Sequence, residues 1–160
     1  MFRIGLSIVV AGVALAAIGA AQADRGVRPA EPAGKYMAGI VEQKITNEYD
    51  LAWQSLYPPH QRVASLDAYV ACESLTPAAG DLIGVKVLRT FNERIRVAGL
   101  QRKLMTRAVR VRVLVASPIT RPFPVIIEQT FHAIAVKGQW KWILSADQYA
   151  YYSEGTCPYS

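Results

Sequence analysis

Histidine and cysteine are scarce in this chain, with two of each among 160 residues. Neither His60 nor His132 has a second histidine or a cysteine nearby at ligand spacing, so the sequence predicts no metal site. Neither cysteine lies in a catalytic motif, and the chain has no glycine-rich phosphate loop. These absences leave the sequence without a predicted catalytic residue, cofactor or metal.

The first 23 residues have the three parts of a secretory signal peptide. Arg3 supplies the positive charge, Ile4 to Ile18 form the apolar segment, and Ala21-Gln22-Ala23 is a small-residue cleavage site. We therefore expect cleavage after Ala23 and a secreted or extracytoplasmic protein, in the periplasm or cell envelope. The alternative is a retained membrane anchor, because the apolar segment approaches the roughly 20 residues that span a bilayer.

An exported chain with an even number of cysteines is expected to join them, which predicts a disulfide between Cys72 and Cys157. The alternative is two buried free thiols. Residues 24–34 contain two prolines and two glycines and little to bury, so they are predicted to form a flexible leader. Residues 35–160 are then expected to form a single domain.

Hydrophobic periodicity changes from helical to strand-like along that domain. Apolar residues recur every three or four positions from Met37 to Leu56, which predicts an amphipathic helix ended by Pro58-Pro59. A shorter helix is predicted from Ser65 to about Leu75. Strands are predicted over Leu82 to Val97, Leu104 to Ala116, Pro124 to Val136 and Gln139 to Tyr149. The expected fold class is α+β, with two N-terminal helices packed on a curved four-stranded antiparallel sheet.

The turn at Lys137-Gly138 predicts the register of the last hairpin. A two-residue loop places Ala135 opposite Trp140, Ala133 opposite Trp142 and Phe131 opposite Leu144. On the second strand the same alternation assigns one face to the core, namely Val109, Val111, Val113 and Val115. The odd-numbered residues of the first strand, from Ile83 to Val97, are expected to share that face. Trp53, Trp140 and Trp142 are expected to meet in this core.

The pattern of these segments resembles the nuclear-transport-factor-two-like superfamily of cone-shaped α+β domains. The resemblance covers about residues 35 to 157. The residues that carry it are Ile45 to Pro59 with Tyr49, Trp53 and Leu56, the segment Tyr57-Pro58-Pro59-His60-Gln61, and Gly138-Gln139-Trp140-Lys141-Trp142. It implies a cone with a ligand pocket inside. Members of the superfamily include isomerases, dehydratases, cyclases and non-catalytic modules, so the resemblance implies architecture more directly than activity.

The predicted register places several polar side chains on the concave face of the sheet. Arg89 and Glu93 interrupt an apolar strand face, and an unpaired buried charge is costly, so they are predicted to mark the polar end of a pocket. Gln129 and Tyr49 are expected beside them, with Trp53 and Phe131 as the apolar wall. The alternative is a bulge at Asn92 that exposes both charges.

Cations follow the first two predicted strands, mostly on the convex face. They are Lys86, Arg94, Arg96, Arg102, Lys103, Arg107, Arg110 and Arg112. Glu128 is expected to pair with Arg112 there. The convex face offers few exposed rings, which disfavours nucleic acid. A solvated surface or an anionic envelope partner fits better.

We therefore favour an exported, non-catalytic domain that binds a small apolar ligand, or a protein or anionic envelope partner. The alternative is an isomerase, cyclase or hydratase that uses the cone pocket. A third interpretation is a module that forms a dimer through an apolar sheet face.

Overall fold

The computed structural model describes residues 29–75, 80–118 and 122–157, and the predicted signal peptide lies outside them. Helices come first: α1 (Ala33–Ile45), α2 (Tyr49–Gln54), α3 (Pro58–Gln61) and α4 (Leu66–Leu75). Four strands and a last helix follow: β1 (Asp81–Arg96), β2 (Lys103–Ala116), β3 (Val125–Val136), β4 (Gln139–Trp142) and α5 (Ala146–Ser153). The strands form one antiparallel sheet in the order β1-β2-β3-β4. The α+β class with a four-stranded antiparallel sheet is confirmed.

The predicted long N-terminal helix is divided into α1 and α2. Asn47 has a φ of 64°, a left-handed conformation that ends α1, and asparagine tolerates it better than most residues. The chain then turns, so that the Tyr49 hydroxyl donates a hydrogen bond of 2.7 Å to Asn47 Oδ1. Pro58 and Pro59 begin α3 instead of ending a helix, because the first turn of a helix needs no N–H from them.

The start of the folded domain also differs from the prediction. Helix α1 begins at Ala33, two positions before Lys35, so the predicted leader is too long at its end. Gly34 is buried there, and a Cβ on it would lie 3.2 Å from side-chain atoms of Val87 and Thr90. The glycine that suggested a flexible segment in fact permits a close approach between α1 and β1.

Strand β1 contains two irregularities that change which side its residues face. The pairing with β2 shifts between Leu82 and Gly84 and again between Val87 and Arg89. Each shift adds a residue to β1 and reverses the alternation beyond it. Val85 and Val87 lie opposite the buried Val113 and Val111, but beyond Leu88 the even-numbered Thr90 takes the core side. The expectation that odd-numbered residues face the core along the whole strand is wrong at Ile83, the extra residue of the first irregularity, which is 57% exposed, and again beyond Leu88.

The last hairpin has the predicted register over its first half. Ala135 pairs with Trp140 and Ala133 pairs with Trp142. The pairing of β3 with β4 ends at Trp142, before the predicted Phe131–Leu144 pair. The Leu144 N–H instead donates a hydrogen bond of 3.0 Å to His60 Nδ1. Helix α5 replaces the rest of the predicted strand. Ser145 and Gln148 form a capping box at its start, a spacing that the strand prediction overlooked.

The main core lies between the helices and one side of the sheet, called here the helix-facing side. The predicted β2 valines are all buried in it, and the half-buried Trp53 and Trp140 pack against the same cluster, which contains the buried Trp142. The shared tryptophan core is therefore confirmed. A second cluster, centred on Val97, Ile134 and Ile143, covers one end of the opposite side, called here the outer face. The predicted disulfide joins Cys72 of α4 to Cys157 after α5.

Candidate functional site

An open cavity of about 440 Å³ lies between the helix-facing side of β2 and β3 and four of the helices. A volume of this size is within the range of small-molecule sites. Its wall is formed by alternate residues of the two strands together with α1 residues. They are Val41, Ile45, Val113, Val115, Val125, Ile127 and Phe131. Ile127 remains 47% exposed, so solvent reaches this wall.

A buried ion pair supplies the charge in this cavity. Lys44 Nζ lies 3.2 Å from a carboxylate oxygen of Glu73, and the two side chains are only 17% and 9% exposed. The ammonium also lies over the rings of Trp142, at 5.3 Å, and Tyr69, at 5.8 Å. Lys44 is in the last turn of α1, where the helix dipole favours a cation. Because the two charges are opposite and in contact, they add no net charge to the cavity.

Neutral polar groups complete the lining. Tyr49 comes from α2, Gln129 from β3 and Gln148 from α5. Burial, with a smaller contribution from the negative charge of Glu73, raises the pKa of the Tyr49 hydroxyl, so that it stays protonated at neutral pH. The Tyr49 hydroxyl donates its proton to Asn47 Oδ1 and can accept a hydrogen bond from a ligand, while the amides of Gln129 and Gln148 can donate or accept one.

The structure brings together some of the predicted site residues. Tyr49, Gln129 and Phe131 line the cavity, as the register predicted. Trp53 is packed in the core, where its Nε1–H donates 2.7 Å to the Ala64 carbonyl, and it is not among the lining residues. The ligand-binding role of these residues stays a prediction.

Arg89 and Glu93 lie on the outer face, so their predicted place beside Tyr49 is wrong. The extra residue at Leu88, and not one at Asn92, reverses the alternation of β1. Arg89 is directly opposite Arg110 and stacks on the Phe91 ring, 5.0 Å from its centroid. Glu93 is in hydrogen-bond contact with His132, whose Nε2 lies 2.8 Å from a carboxylate oxygen.

Three lining residues, Lys44, Glu73 and Gln148, were not predicted as site residues, although the sequence carries a signal for the first two. Lys44 is three and four positions after Val41 and Ile40, on the apolar stripe of α1. Glu73 is four positions after the buried Tyr69 on α4. Opposite charges on the apolar stripes of two neighbouring helices indicate a buried ion pair. Gln148 left no comparable signal because its helix was predicted as a strand.

Within residues 29–75, 80–118 and 122–157, no three histidine, cysteine, aspartate or glutamate side chains converge as metal ligands would. No helix of this part is both long enough and apolar enough to cross a bilayer. The disulfide fits an oxidising compartment outside the cytoplasm. Comparison with known proteins found no family model that matches the chain and no curated protein that matches it in sequence.

Proposed function

We propose that this chain is an exported, non-catalytic domain that binds a small, uncharged and largely apolar molecule in the cavity beside the Lys44–Glu73 pair. The observation that carries the proposal is the composition of the cavity: aliphatic walls, neutral hydrogen-bonding groups and two charges that neutralise each other. A charged ligand would lose its hydration without gaining an unpaired counter-ion, whereas a neutral one loses little.

The architecture supports assignment to the nuclear-transport-factor-two-like superfamily as part of the same proposal. Helices precede a four-stranded antiparallel sheet, and the cavity lies between them. Export is the second part, supported by the signal-like first 23 residues and by the Cys72–Cys157 disulfide. A crystal structure with a flat sheet and no cavity between the sheet and the helices would refute the superfamily assignment.

Adjacent isoleucines of β3 provide a matched test of ligand binding. Ile127 lines the cavity, whereas Ile126 is on the outer face, and both are exposed, at 47% and 59%. Replacing Ile127 by Asn should weaken binding of the neutral dye Nile red by roughly tenfold, since about 1–2 kcal/mol of apolar contact is lost. Ile126→Asn should leave binding unchanged. Fluorescence titration measures both, and equal affinities in the two variants would refute the cavity as the site.

The enzymatic alternative rests on Glu73, a buried carboxylate that lines the cavity. Its contact with Lys44 favours a structural role, because a general base must be free to accept a proton from the substrate. The double variant K44M/E73M replaces both charges with side chains of similar size, which buried pairs often tolerate. We expect it to remain folded and to bind Nile red. Turnover of a hydroxy or keto substrate by the natural protein, abolished by Glu73→Gln, would favour the enzyme instead.

A further inference from the structure

Four cations lie together on the outer face of the sheet, on two neighbouring strands. Lys86 and Arg89 of β1 are directly opposite Arg112 and Arg110 of β2. Like charges that face each other across strands repel and destabilise the sheet. Two consecutive pairs of this kind lower the stability of the sheet, so their presence suggests a role other than folding.

One carboxylate is in contact with this group among the described residues. Glu128 of β3 accepts a hydrogen bond of 2.8 Å from Arg110 Nη2 and another of 2.8 Å from Arg112 Nε. Glu93 is farther along β1 and is engaged by His132, while Asp81 is at the opposite end of the strand. The group of four cations and Glu128 therefore keeps three net positive charges.

The guanidinium groups of this surface are held in place before any partner arrives. Glu128 orients Arg110 and Arg112, and the Phe91 ring supports Arg89. A guanidinium presents a planar pair of N–H donors that fits the oxygens of a phosphate. A rigid strand scaffold thus directs cations outward on the side opposite the cavity.

Ile126 distinguishes the kind of anionic partner. It follows the same face of β3, two positions from Glu128, and is 59% exposed. A hydrated polyanion gains nothing from an exposed aliphatic side chain, whereas a bilayer surface offers phosphates together with an apolar interior just beneath them.

We propose that the basic outer face, formed by Lys86, Arg89, Arg110 and Arg112, docks on a bilayer that contains anionic phospholipid, with Ile126 entering the interface. The cations contact lipid phosphates, and the negative charge of the phosphates reduces the repulsion between the opposed cations. The cavity is lined from the other side of the sheet, so this orientation turns it away from the membrane.

Sedimentation with vesicles of phosphatidylcholine, alone or with one third phosphatidylglycerol, tests the proposal on the chain beginning at Asp24. We expect binding to the anionic vesicles only, weakened by salt. Each cation near such a surface contributes about fivefold, so K86Q/R89Q should reduce partitioning by roughly 25-fold. Adding Ile126→Ser to K86Q/R89Q should reduce partitioning onto the anionic vesicles further. The melting temperature of K86Q/R89Q should equal or exceed that of the natural protein, because the cross-strand repulsion is removed.

A matched control separates this face from the overall charge. R94Q/K103Q removes the same two charges from exposed residues of β1 and β2 on the helix-facing side of the sheet. It should reduce vesicle binding by less than about twofold. Equal losses in the two double variants would overturn the proposal in favour of net charge alone. Binding to heparin but not to vesicles would overturn it in favour of a soluble polyanion, and no binding to either would mean a solvated face.

Discussion

Trp142 joins the last hairpin to the helices, and its indole N–H offers a sharp test of the fold. The side chain is 1% exposed, and its Nε1–H donates 2.7 Å to the buried Ala52 carbonyl. Trp140, on the same strand, is only half-buried, and its Nε1–H donates 2.8 Å to the exposed Glu31 carbonyl. The two tryptophans therefore make the same kind of hydrogen bond in different surroundings.

Replacing Trp142 by Phe keeps most of the apolar contact and removes the N–H. The Ala52 carbonyl then keeps only the 3.2 Å hydrogen bond from the Ser55 N–H, and the smaller ring leaves a gap in the core, so we expect a loss of about 1–3 kcal/mol in the free energy of unfolding. Trp140→Phe should cost less than about 0.5–1 kcal/mol, because water can replace the exposed hydrogen bond. Trp142→Ala should cost about 3–5 kcal/mol, the range for deletion of a buried large aromatic side chain.

Urea unfolding followed by far-ultraviolet circular dichroism measures these differences without relying on tryptophan emission. The Phe variants keep the test meaningful even if Trp142→Ala does not fold, because a domain of this size is stable by only about 5–15 kcal/mol. Equal losses for the two Phe variants would refute the buried hydrogen bond. A loss below about 1 kcal/mol for Trp142→Ala would refute the packing of β4 against α2 and α4.

Two further predictions concern pH and the disulfide. Burial lowers the pKa of His60 below 6.5, and its Nδ1 must stay unprotonated to accept the Leu144 N–H while Nε2–H donates to the Ala98 carbonyl. Because the unfolded chain binds the proton more readily, the free energy of unfolding should fall as the pH drops below about 6.5 and down through the folded-state pKa of His60. Urea titrations at several pH values measure this, and the dependence of stability on pH should be flatter for His60→Gln. The intact mass of exported protein should correspond to a start at Asp24 and no free thiol. Reduction of the disulfide should lower the free energy of unfolding by about 4–5 kcal/mol, because the bond closes a loop between residues 85 positions apart. An uncleaved N-terminus, or two thiols that react without reduction, would contradict this.

The periodicity of the sequence was sufficient to predict an element where one side of that element faces the core and no irregularity interrupts the alternation. The alternating valines of β2 and the small–large pairs around Lys137-Gly138 predicted a register that the structure confirms. The helix Leu66–Leu75 and the pairing of Arg112 with Glu128 were predicted from the same kind of spacing. In each case the signal repeats every two, three or four residues, so a short window contains it.

Irregular positions carried no such signal. Leu88 has the character of an ordinary strand residue, and its insertion into the β1–β2 pairing depends on which residues of β2 it meets. That single residue moved Arg89 and Glu93 from the predicted pocket to the outer face. The end of β4 likewise depends on His60, a residue 84 positions away that binds the Leu144 N–H.

The sequence by itself determined the α+β class, the order of the main elements, the hairpin register and the pairing of the two cysteines. These follow from short-range periodicity and, for the disulfide, from the small number of cysteines. Tertiary structure alone decided where the strands slip, where the first helix breaks at Asn47, and which charges meet. The Lys44–Glu73 pair joins residues 29 positions apart, and its burial depends on how the tertiary structure brings the end of α1 beside Glu73 and the rings of Tyr69 and Trp142. Such contacts are set by the arrangement of whole elements, because opposite charges in the interior are stable only when packing brings them together.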